Sequence, residues 1–252
     1  MPTTRFDFSD QRVIVTGGTR GIGRAIAEAF LAAGASVHAI YAANQTAAAE
    51  FAAAAQTAGS GARLSLHQTD VGDYAAVEAF YRGFEAAGHK LHVLVNCAGI
   101  RRDGVVGMLA PADWEAVLNT NLTGTYAMSK FAVQLMMRER YGRIISITSP
   151  SGKLGFEGQA NYAATKAGQV AFSRSLSKEV ARRGITVNCV SPGFIDTDFI
   201  GALPEEQLKA YRDQVPLRRF GKPAEVAFAV LCLAAREAAY VTGATLDITG
   251  GL

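Results

Sequence analysis

The chain has 252 residues, of which 49% are hydrophobic and 19% charged, and its formal net charge is +3. This length suits one large α/β domain, residues 1–252, with a sizeable buried core. The small net charge argues against nucleic acid or a membrane surface as the main partner. The three cysteines show no metal-binding spacing, and we find neither a signal-type N-terminal segment nor a membrane-spanning stretch. We therefore expect a cytoplasmic protein with free thiols and no metal site.

Strand-like and helix-like segments alternate along the chain without a linker. Strands are predicted at residues 13–15, 37–41, 64–67, 91–96, 143–148, 185–190 and 245–248. Helices are predicted at residues 23–33, 47–58, 73–88, 113–140 (interrupted at most at Gly124), 160–183 and 223–235. Repeated strand–helix–strand units with Val- and Ile-rich strands predict a parallel sheet of about seven strands with helices on both faces. The simplest such topology is the doubly wound Rossmann fold in a single domain.

Glycines or polar residues follow several of the predicted strands. They are Thr16-Gly17, Asp70, Asn96, Ser149 and Pro192-Gly193. Ligands of doubly wound sheets bind beyond the carboxyl ends of the strands, and all these residues converge on that edge. We therefore expect a ligand cleft there.

The turn after the first strand, Thr16 to Gly23, is rich in glycine and leads into a helix. Its glycines permit a tight turn and let backbone amides approach a pyrophosphate at the helix N-terminus. The residues expected to bind the cofactor here are Gly17, Thr19, Arg20, Gly21, Ile22 and Gly23. The spacing differs from the standard Gly-x-Gly-x-x-Gly, and such a turn also occurs without a ligand, so the motif alone leaves both interpretations open.

The end of the second strand indicates which dinucleotide would bind. NAD sites usually place an acid there for the ribose 2′-hydroxyl, whereas residues 37–44 contain none. A 2′-phosphate would be attracted by the guanidinium of Arg20. Arg20 is alternatively a solvated surface arginine, but together with the missing acid it favours NADPH or NADP+.

Two further strand ends suggest contacts with the rest of a dinucleotide. Asp70, followed by Val71, could accept a hydrogen bond from an adenine amino group, although a cap or turn role is equally consistent. The segment Asn96-Cys97-Ala98-Gly99 has small residues that let backbone lie close to a flat ligand. We interpret Cys97 as a packed thiol rather than a reactive one.

Tyr162 and Lys166 are four residues apart on a predicted helix and so share one face. The pKa of free tyrosine is near ~10, and a neighbouring ammonium should lower it. Ser149, at the end of an apolar strand, can present its hydroxyl to the same substrate oxygen; its interval from Tyr162 favours it over Ser151. These groups could transfer a proton to or from a carbonyl or alcohol oxygen. An isolated Tyr-x-x-x-Lys, however, is more simply interpreted as two exposed residues on a surface helix.

These segments, with Asn121 and Pro192-Gly193, resemble the classical short-chain dehydrogenase/reductase family over essentially the whole chain. The resemblance implies that Tyr162 is the general acid in reduction and that Ser149 holds the carbonyl. It also implies that Lys166 bonds the nicotinamide ribose and biases Tyr162, and that Asn121 anchors a water in the proton relay. The residues expected to cradle the carboxamide are Pro192, Gly193, Ile195 and Thr197. Cys97 stands where many members carry an asparagine, and backbone contact stays possible there.

Within the family, segments 99–103, 158–168, 184–188 and 192–198 are most similar to β-ketoacyl-acyl-carrier-protein reductases. This implies NADPH-dependent reduction of a 3-oxoacyl thioester on acyl carrier protein. Arg140 and Arg183 match positions that receive the acidic carrier. If the two long helices lie side by side, we expect both arginines, with Arg143, near one edge of the cofactor cleft. They could equally be solvated surface charges.

Two other functions stay open. Relatives acting on alcohols, sugars or coenzyme A thioesters share much of this pattern, and the substrate loop, at about 194–216, does not reveal the acyl length. A non-catalytic dinucleotide sensor is the third interpretation, and the complete set of Ser149, Tyr162 and Lys166 argues against it. The resemblance further implies a homotetramer that pairs the long helices across a two-fold, whereas packing within one monomer is the alternative.

Overall fold

The computed structural model describes residues 6–197 and 204–252. Within these ranges seven parallel strands form one sheet in the order β3-β2-β1-β4-β5-β6-β7. The strands are β1 (Arg12–Thr16), β2 (Ser36–Tyr41), β3 (Leu64–Gln68), β4 (Val93–Asn96), β5 (Gly142–Ile147), β6 (Ile185–Pro192) and β7 (Thr245–Ile248). The strand order reverses between β1 and β4, the type of position where doubly wound sheets bind ligands.

Helices cover both faces of this sheet. They are α1 (Gly21–Ala32), α2 (Gln45–Thr57), α3 (Tyr74–Ala86), α4 (Pro111–Leu118), α5 (Gly124–Glu139), α6 (Ser151–Leu154), α7 (Ala160–Val180), α8 (Glu205–Gln214) and α9 (Pro223–Ala234). Helices α1 and α9 bury apolar residues in one core cluster, and α3, α5 and α7 do so in the other. The prediction of a doubly wound parallel sheet is therefore confirmed.

The central strand β1 shows why the inner part of the sheet is rich in apolar residues. Val13 and Val15 belong to the first core cluster and Ile14 to the second, and all three are fully buried. Successive side chains of a strand alternate between faces, so a strand covered on both sides has no solvent face for a polar residue. Truncating a fully buried isoleucine such as Ile14 to alanine would cost about 2–5 kcal/mol.

The helix predicted at residues 113–140 is divided in the structure. Helix α4 ends at Leu118, a π-helical turn covers Asn119–Thr123, and α5 begins at Gly124. Gly124 does not break the helix but lets it lie against Val71, because a Cβ there would be 2.9 Å from Val71 Cγ2. Such π turns are frequent at functional sites, and this one carries Asn121.

Other boundaries differ by a few residues. Strand β4 begins at Val93, and α7 ends at Val180, before a 3₁₀ turn at Ala181–Arg183. Helices α6 and α8 were not predicted. Helix α8 lies in the expected substrate loop at 194–216, of which residues 198–203 lie outside the described residues. None of the helices in the described ranges is long and apolar enough to cross a membrane.

Candidate active site

The glycine turn between β1 and α1 leaves no room for side chains. Gly17 and Gly21 have positive φ angles of 63° and 52°. A Cβ at Gly23 would lie 2.1 Å from the carbonyl oxygen of Gly17, so only glycine lets α1 begin this close to the turn. The turn therefore has the tight geometry that the sequence predicts.

The N-terminus of α1 offers hydrogen-bond donors to an anion. Its N-cap residue, Arg20, makes no side-chain cap, and the first turn contains no acid. The amide of Gly18 donates to the carbonyl of Ile40 at 3.1 Å and holds the turn against β2. The first amides of a helix lack intrahelical acceptors, and the helix dipole favours negative charge there. This donor set and the space left by the glycines fit a pyrophosphate.

The end of β2 carries no acid. Tyr41 is half-buried there, and Asn44 caps α2 by accepting a hydrogen bond from Ala47 N at 2.9 Å. Arg20 is exposed beside this strand end, and it forms no ion pair with any residue that the structure describes. The charge pattern that favours a 2′-phosphate over a bare 2′-hydroxyl is therefore present on the protein surface.

Thr16 joins the ends of β1 and β4. Its Oγ1 accepts hydrogen bonds from the amides of Cys97 and Ala98, at 2.9 and 3.0 Å. These bonds hold the β4 segment against Gly17, where a Cβ would lie 3.1 Å from the Cα of Ala98. Sequence reasoning placed Thr16 in the turn but gave its hydroxyl no role.

The side chains of Asn96 and Cys97 point into the protein rather than towards solvent. Asn96 Nδ2 donates to Oγ of Ser129 on α5 at 3.0 Å, and its buried Oδ1 has no hydrogen-bond partner among the described residues. Burial raises the pKa of the Cys97 thiol to about 11. The thiol is therefore neutral at ordinary pH, as expected for a packed cysteine rather than a reactive one.

Asp70 lies in a turn at the end of β3. Its Oδ1 accepts a hydrogen bond from Gly72 N at 2.9 Å, which is the turn role that the sequence left open. The carboxylate is exposed, so it can still meet a ligand, and adenine recognition by Asp70 stays a prediction. Val71 is buried and packs in the second core cluster.

Lys166 is buried at the carboxyl end of β5. Its Nζ donates to the carbonyl of Ile147 at 2.7 Å and to Oε1 of Gln169 at 3.2 Å. Burial lowers the pKa of Lys166 to about 8. A Cβ at Gly99 would lie 3.8 Å from this Nζ, so the main chain of the β4 segment borders the ammonium.

Tyr162 lies one helical turn before Lys166 on α7. The Lys166 Nζ is 5.4 Å from the centroid of its ring. Burial nevertheless raises the pKa of Tyr162, and the opposing influences are first Arg101 and then the nearby Ser149 hydroxyl. The expectation that Lys166 brings this pKa below its ordinary value is therefore wrong for the protein alone. Desolvation outweighs the opposing influence of the Arg101 guanidinium.

The two serines after β5 are joined rather than alternative. Ser149 Oγ lies 3.1 Å from Ser151 Oγ, and Ser151 Oγ donates to Oε1 of Gln159 at 3.2 Å. The amide of Ser151 also donates to Ser149 Oγ at 3.2 Å. Ser149 is half-buried, while Ser151 is only 5% exposed. Ser149 is thus the serine that reaches the cleft, beside Tyr162, and Ser151 holds it.

Asn121 is fully buried in the π turn. Its Oδ1 accepts from Ile100 N at 2.8 Å and its Nδ2 donates to Ile100 O at 3.0 Å, as a strand neighbour would. Its main-chain oxygen accepts from Thr125 Oγ1 at 2.7 Å and from Gln169 Nε2 at 2.8 Å. The structure thus connects Asn121 to Lys166 through Gln169, a residue that sequence reasoning missed.

The end of β6 closes the far side of the cleft. Gly193 N donates to the carbonyl of Ile248 at 3.0 Å, while Pro192 and Ile195 are buried. A methyl of Thr197 is 3.8 Å from the Cβ position of Gly21, so this segment reaches across to the N-terminus of α1. The segment expected to hold a carboxamide therefore faces the glycine turn.

The arginines expected at the cleft lie elsewhere in the protomer. Arg140 follows α5 and Arg183 follows α7, at the amino ends of β5 and β6. They do lie close together, since Arg140 Nη2 donates to the carbonyl of Arg182 at 3.3 Å. Their predicted position near the edge of the cofactor cleft is wrong, because crossover helices run antiparallel to the strands and end at the opposite edge of the sheet. Arg143 is 3% exposed and bonds main-chain carbonyls, so it is not a surface charge.

The fold and the site together define a class of protein. The sheet is doubly wound, the glycine turn that fits an anion lies where the strand order reverses, and a tyrosine, a lysine and a serine lie beside it. The protein is a nicotinamide-dinucleotide-dependent oxidoreductase that acts on carbonyl or hydroxyl groups.

Comparison with known proteins agrees with this class. Residues 17–252 match the family model described as enoyl-(acyl carrier protein) reductase. The chain is 44% identical over 246 residues to the 3-oxoacyl-[acyl-carrier-protein] reductase FabG of Escherichia coli, covering 98% of both chains. It is 45% identical over 242 residues to the enzyme of the same name from Vibrio harveyi, covering 95% of this chain and 96% of the other.

A third relative carries a different name. The chain is 42% identical over 250 residues to nodulation protein G of a Rhizobium species, covering 98% of both chains. With matches of this extent, the chain belongs to the short-chain dehydrogenase/reductase family.

Proposed function

We propose that the protein reduces 3-oxoacyl thioesters carried on acyl carrier protein to the 3-hydroxyacyl thioesters, with NADPH as the electron donor. The observation that carries this proposal is the pairing of Tyr162 with Ser149 at the edge of the cleft, in a chain whose relatives are named for this reaction. A single sheet running from residue 12 to residue 248 supports our proposal that residues 1–252 form one domain.

Each side chain of the site would have a separate role in the reduction. The nicotinamide, when bound, supplies the hydride for the carbonyl carbon. Ser149, held by Ser151, would orient the substrate oxygen, and Tyr162 would give that oxygen its proton. The resulting phenolate is negative, so the ammonium of Lys166, 5.4 Å from the ring centroid, would stabilise it. An ammonium has three N–H donors, so Lys166 has one beyond its two protein bonds, and this donor would bind the nicotinamide ribose.

Arg20 supports NADPH as the cofactor. It is exposed at the N-terminus of α1, beside a β2 end that carries no carboxylate. A guanidinium binds a phosphate in a bidentate manner, while a carboxylate at this place would repel it. The pyrophosphate would lie at the glycine turn, Asp70 would meet the adenine, and residues 192–197 would hold the carboxamide.

Carrier protein would dock on the surface formed by Arg140 and Arg183, which we call the arginine surface. In one protomer this surface lies at the amino edge of the sheet. We propose a homotetramer in which α5 and α7 pair antiparallel across a two-fold axis. Such pairing would bring the arginine surface of one protomer towards the cleft of its partner. The exposed apolar residues Tyr126 and Met137 on α5 support an interface there.

We propose a cytoplasmic location, where this reaction's substrates would be available.

The test follows NADPH absorbance with a panel of substrates; the absorbance falls during reduction and rises when an alcohol is oxidised with NADP+. Acetoacetyl-carrier protein should react fastest, followed by acetoacetyl-coenzyme A, while sugars, simple alcohols in the reverse direction and a crotonyl thioester should react poorly. Faster reduction of the crotonyl thioester would show that the protein reduces a carbon–carbon double bond. Faster turnover of a sugar or alcohol would replace the thioester by that substrate class. Cofactor binding without turnover on any substrate would contradict an enzymatic role.

A further inference from the structure

The side chain of Gln169 connects three elements of the active site. It lies on α7, three residues after Lys166, and is fully buried. Its Oε1 accepts from Lys166 Nζ at 3.2 Å. Its Nε2 donates to the main-chain oxygen of Asn121 and to Oγ1 of Thr125, both at 2.8 Å. This glutamine is not one of the four residues predicted from the sequence to be catalytic, which are Asn121, Ser149, Tyr162 and Lys166.

The orientation of the Gln169 amide follows from its partners. A main-chain carbonyl only accepts hydrogen bonds, so the amide group that faces Asn121 must be the NH2. The Thr125 hydroxyl gives its own proton to the same Asn121 oxygen, at 2.7 Å, and therefore accepts from Gln169. Both N–H groups of Gln169 are thereby used. Its oxygen is left facing Lys166, as an acceptor that cannot rotate away without breaking two buried hydrogen bonds.

This acceptor matters because Lys166 is a buried amine. Among the residues that the structure describes, the acceptors of its ammonium are the carbonyl of Ile147 and Oε1 of Gln169, both neutral oxygens. The titratable groups that face it are Cys97, Cys189 and Tyr162. Desolvation favours the uncharged amine, whereas each hydrogen bond accepted from the ammonium favours the charged form. Gln169 therefore supplies one of the two bonds that oppose the loss of the proton.

Gln169 also changes how Lys166 is connected to Asn121. The main-chain oxygen of Asn121 has two lone pairs, and the side chains of Thr125 and Gln169 donate to it. The resemblance to the family implies a water held by Asn121 in the proton relay. In this chain the protein itself makes the connection, because one amide bonds both the ammonium and the Asn121 oxygen.

We propose that Gln169 is a positioning residue for catalysis. It keeps Lys166 charged and fixed relative to the π turn, and Lys166 in turn stabilises the phenolate that Tyr162 becomes when it gives up its proton. The kinetic part of this inference rests on the proposed function, whereas the ionisation of Lys166 can be measured without any substrate.

The test compares Gln169→Leu, which fills the same volume without hydrogen bonds, with the wild type. The control is Gln11→Leu, because Gln11 is also buried but lies just before β1, at the amino edge of the sheet. The probe is the ε-carbon NMR resonance of lysine labelled with carbon-13, assigned with Lys166→Arg. In Gln169→Leu the pKa of Lys166 should fall from about 8 to about 7, because a hydrogen bond to a charged group is worth on the order of one pKa unit.

A pH profile gives the kinetic counterpart. If charged Lys166 is required, Gln169→Leu should lose about fivefold in kcat/KM at pH 8 and little at pH 6, since a one-unit change in pKa has that effect. Gln11→Leu should leave both the resonance and the shape of the profile unchanged.

Several outcomes would overturn the proposal. An unchanged Lys166 titration in folded Gln169→Leu would do so whether or not the protein reduces 3-oxoacyl thioesters. An equal loss of kcat/KM at pH 6 and pH 8 in Gln169→Leu would mean that Gln169 has only a structural role. A shifted Lys166 titration in a protein that turns over no thioester would support the role of Gln169 and contradict only the proposed substrate.

Discussion

The guanidinium of Arg101 lies over the ring of Tyr162, 5.7 Å from its centroid. The neighbours of Arg101 in the chain fix this position, because Asn121 holds Ile100 by two hydrogen bonds and Asn161 Nδ2 donates to the carbonyl of residue 102 at 2.9 Å. Arg101 is also the strongest influence that opposes the burial-induced rise in the pKa of Tyr162. A second cation, besides Lys166, thus lies beside the ring of Tyr162.

Replacing Arg101 by leucine should therefore slow reduction. The phenolate left on Tyr162 would lose a cation, and a cation–π contact of about 1 kcal/mol corresponds to roughly a fivefold loss in kcat. The measurement is kcat against pH with a saturating thioester. The control is Arg102→Leu, since Arg102 is exposed and lies 3.7 Å from Asp113 instead. Equal effects of the two variants would contradict a specific role for Arg101.

Tyr162→Phe should abolish turnover and leave cofactor binding nearly intact. The variant keeps the ring under Arg101 and beside Lys166, and only the transferable proton is lost. General acid–base catalysis typically contributes 10²–10⁴-fold, so the rate should fall by at least ~100-fold. Steady-state kinetics give the rate, and quenching of protein fluorescence by the nucleotide gives its affinity. A residual rate above ~10% of the wild type would remove Tyr162 from the role of general acid.

The sequence predicted the sheet well for a physical reason. Both faces of β1 and β4 are covered, so Val13–Val15 and Val93–Val95 form short, fully apolar runs that stand out in the sequence. Helix α8 was missed because none of its residues is buried, so it has no apolar stripe to detect. The cofactor turn was predictable because close backbone approach requires glycine at fixed positions.

Residues whose roles depend on distant partners were not predictable in this way. Gln169 reads as an ordinary helical glutamine until α7 is placed beside the π turn, and Arg101 as a loop arginine until it lies over Tyr162. The position of Arg140 and Arg183 was predictable but was predicted wrongly. A crossover helix runs antiparallel to the strands, so its C-terminus lies at the edge opposite the cleft.

The cofactor preference should depend on Arg20. The wild type should use NADPH much more efficiently than NADH, and Arg20→Ala should reduce this preference. Adding Tyr41→Asp at the end of β2 should abolish or invert it, because a carboxylate there accepts from a 2′-hydroxyl and repels a 2′-phosphate. The control is Arg24→Ala one turn later, whose guanidinium donates to Glu28 at 2.8 Å. Equal kcat/KM for the two cofactors in the wild type would contradict the proposal.

A histidine cluster should make the fold sensitive to acid. His38 Nδ1 lies 2.9 Å from His67 Nε2, and the ring of His89 lies 5.2 Å from that of His38, tilted by 60°. Burial lowers the pKa of His38 from 6.5 to about 3, with further lowering by His67, His89 and Arg12. Between pH 6.5 and about pH 3, His38 therefore binds a proton in the unfolded chain but not in the folded protein. The stability contributed by neutral His38 is complete above pH 6.5 and is lost as the pH falls towards 3.

The expected loss from His38 is on the order of 2 kcal/mol between pH 7 and pH 5. Urea unfolding at several pH values measures it. The double variant His38→Leu/His67→Leu removes both partners of the hydrogen bond, so no buried donor is left unpaired. Its stability should fall less over this pH range than that of the wild type. Parallel pH dependence of the two proteins would show that carboxylates, rather than these histidines, cause the loss.

The arginine surface gives the most specific prediction about the substrate. Arg140 and Arg183 are both exposed, and the Arg140 guanidinium donates to the carbonyl of Arg182, the residue before Arg183, where α5 and α7 end. An acidic carrier protein would be steered to this surface, with an association rate that falls as the salt concentration rises. A small free ketone would not respond to the same field. Arg140→Glu with Arg183→Glu should therefore reduce kcat/KM for acetoacetyl-carrier protein by at least ~10-fold and leave a small ketone nearly unchanged.

The matched control for this charge reversal is Arg82→Glu on α3, because Arg82 is an exposed arginine with a single ion pair, to Glu78. It should leave both substrates unaffected. Light scattering should give the same tetramer mass for wild type and double variant. A smaller mass with equal loss on both substrates would mean that the substitutions damage a subunit interface. An unchanged rate with the carrier-bound thioester would show that these arginines are solvated charges and that the carrier does not dock on them. A salt dependence that persists in the double variant would place the docking surface elsewhere on the protein.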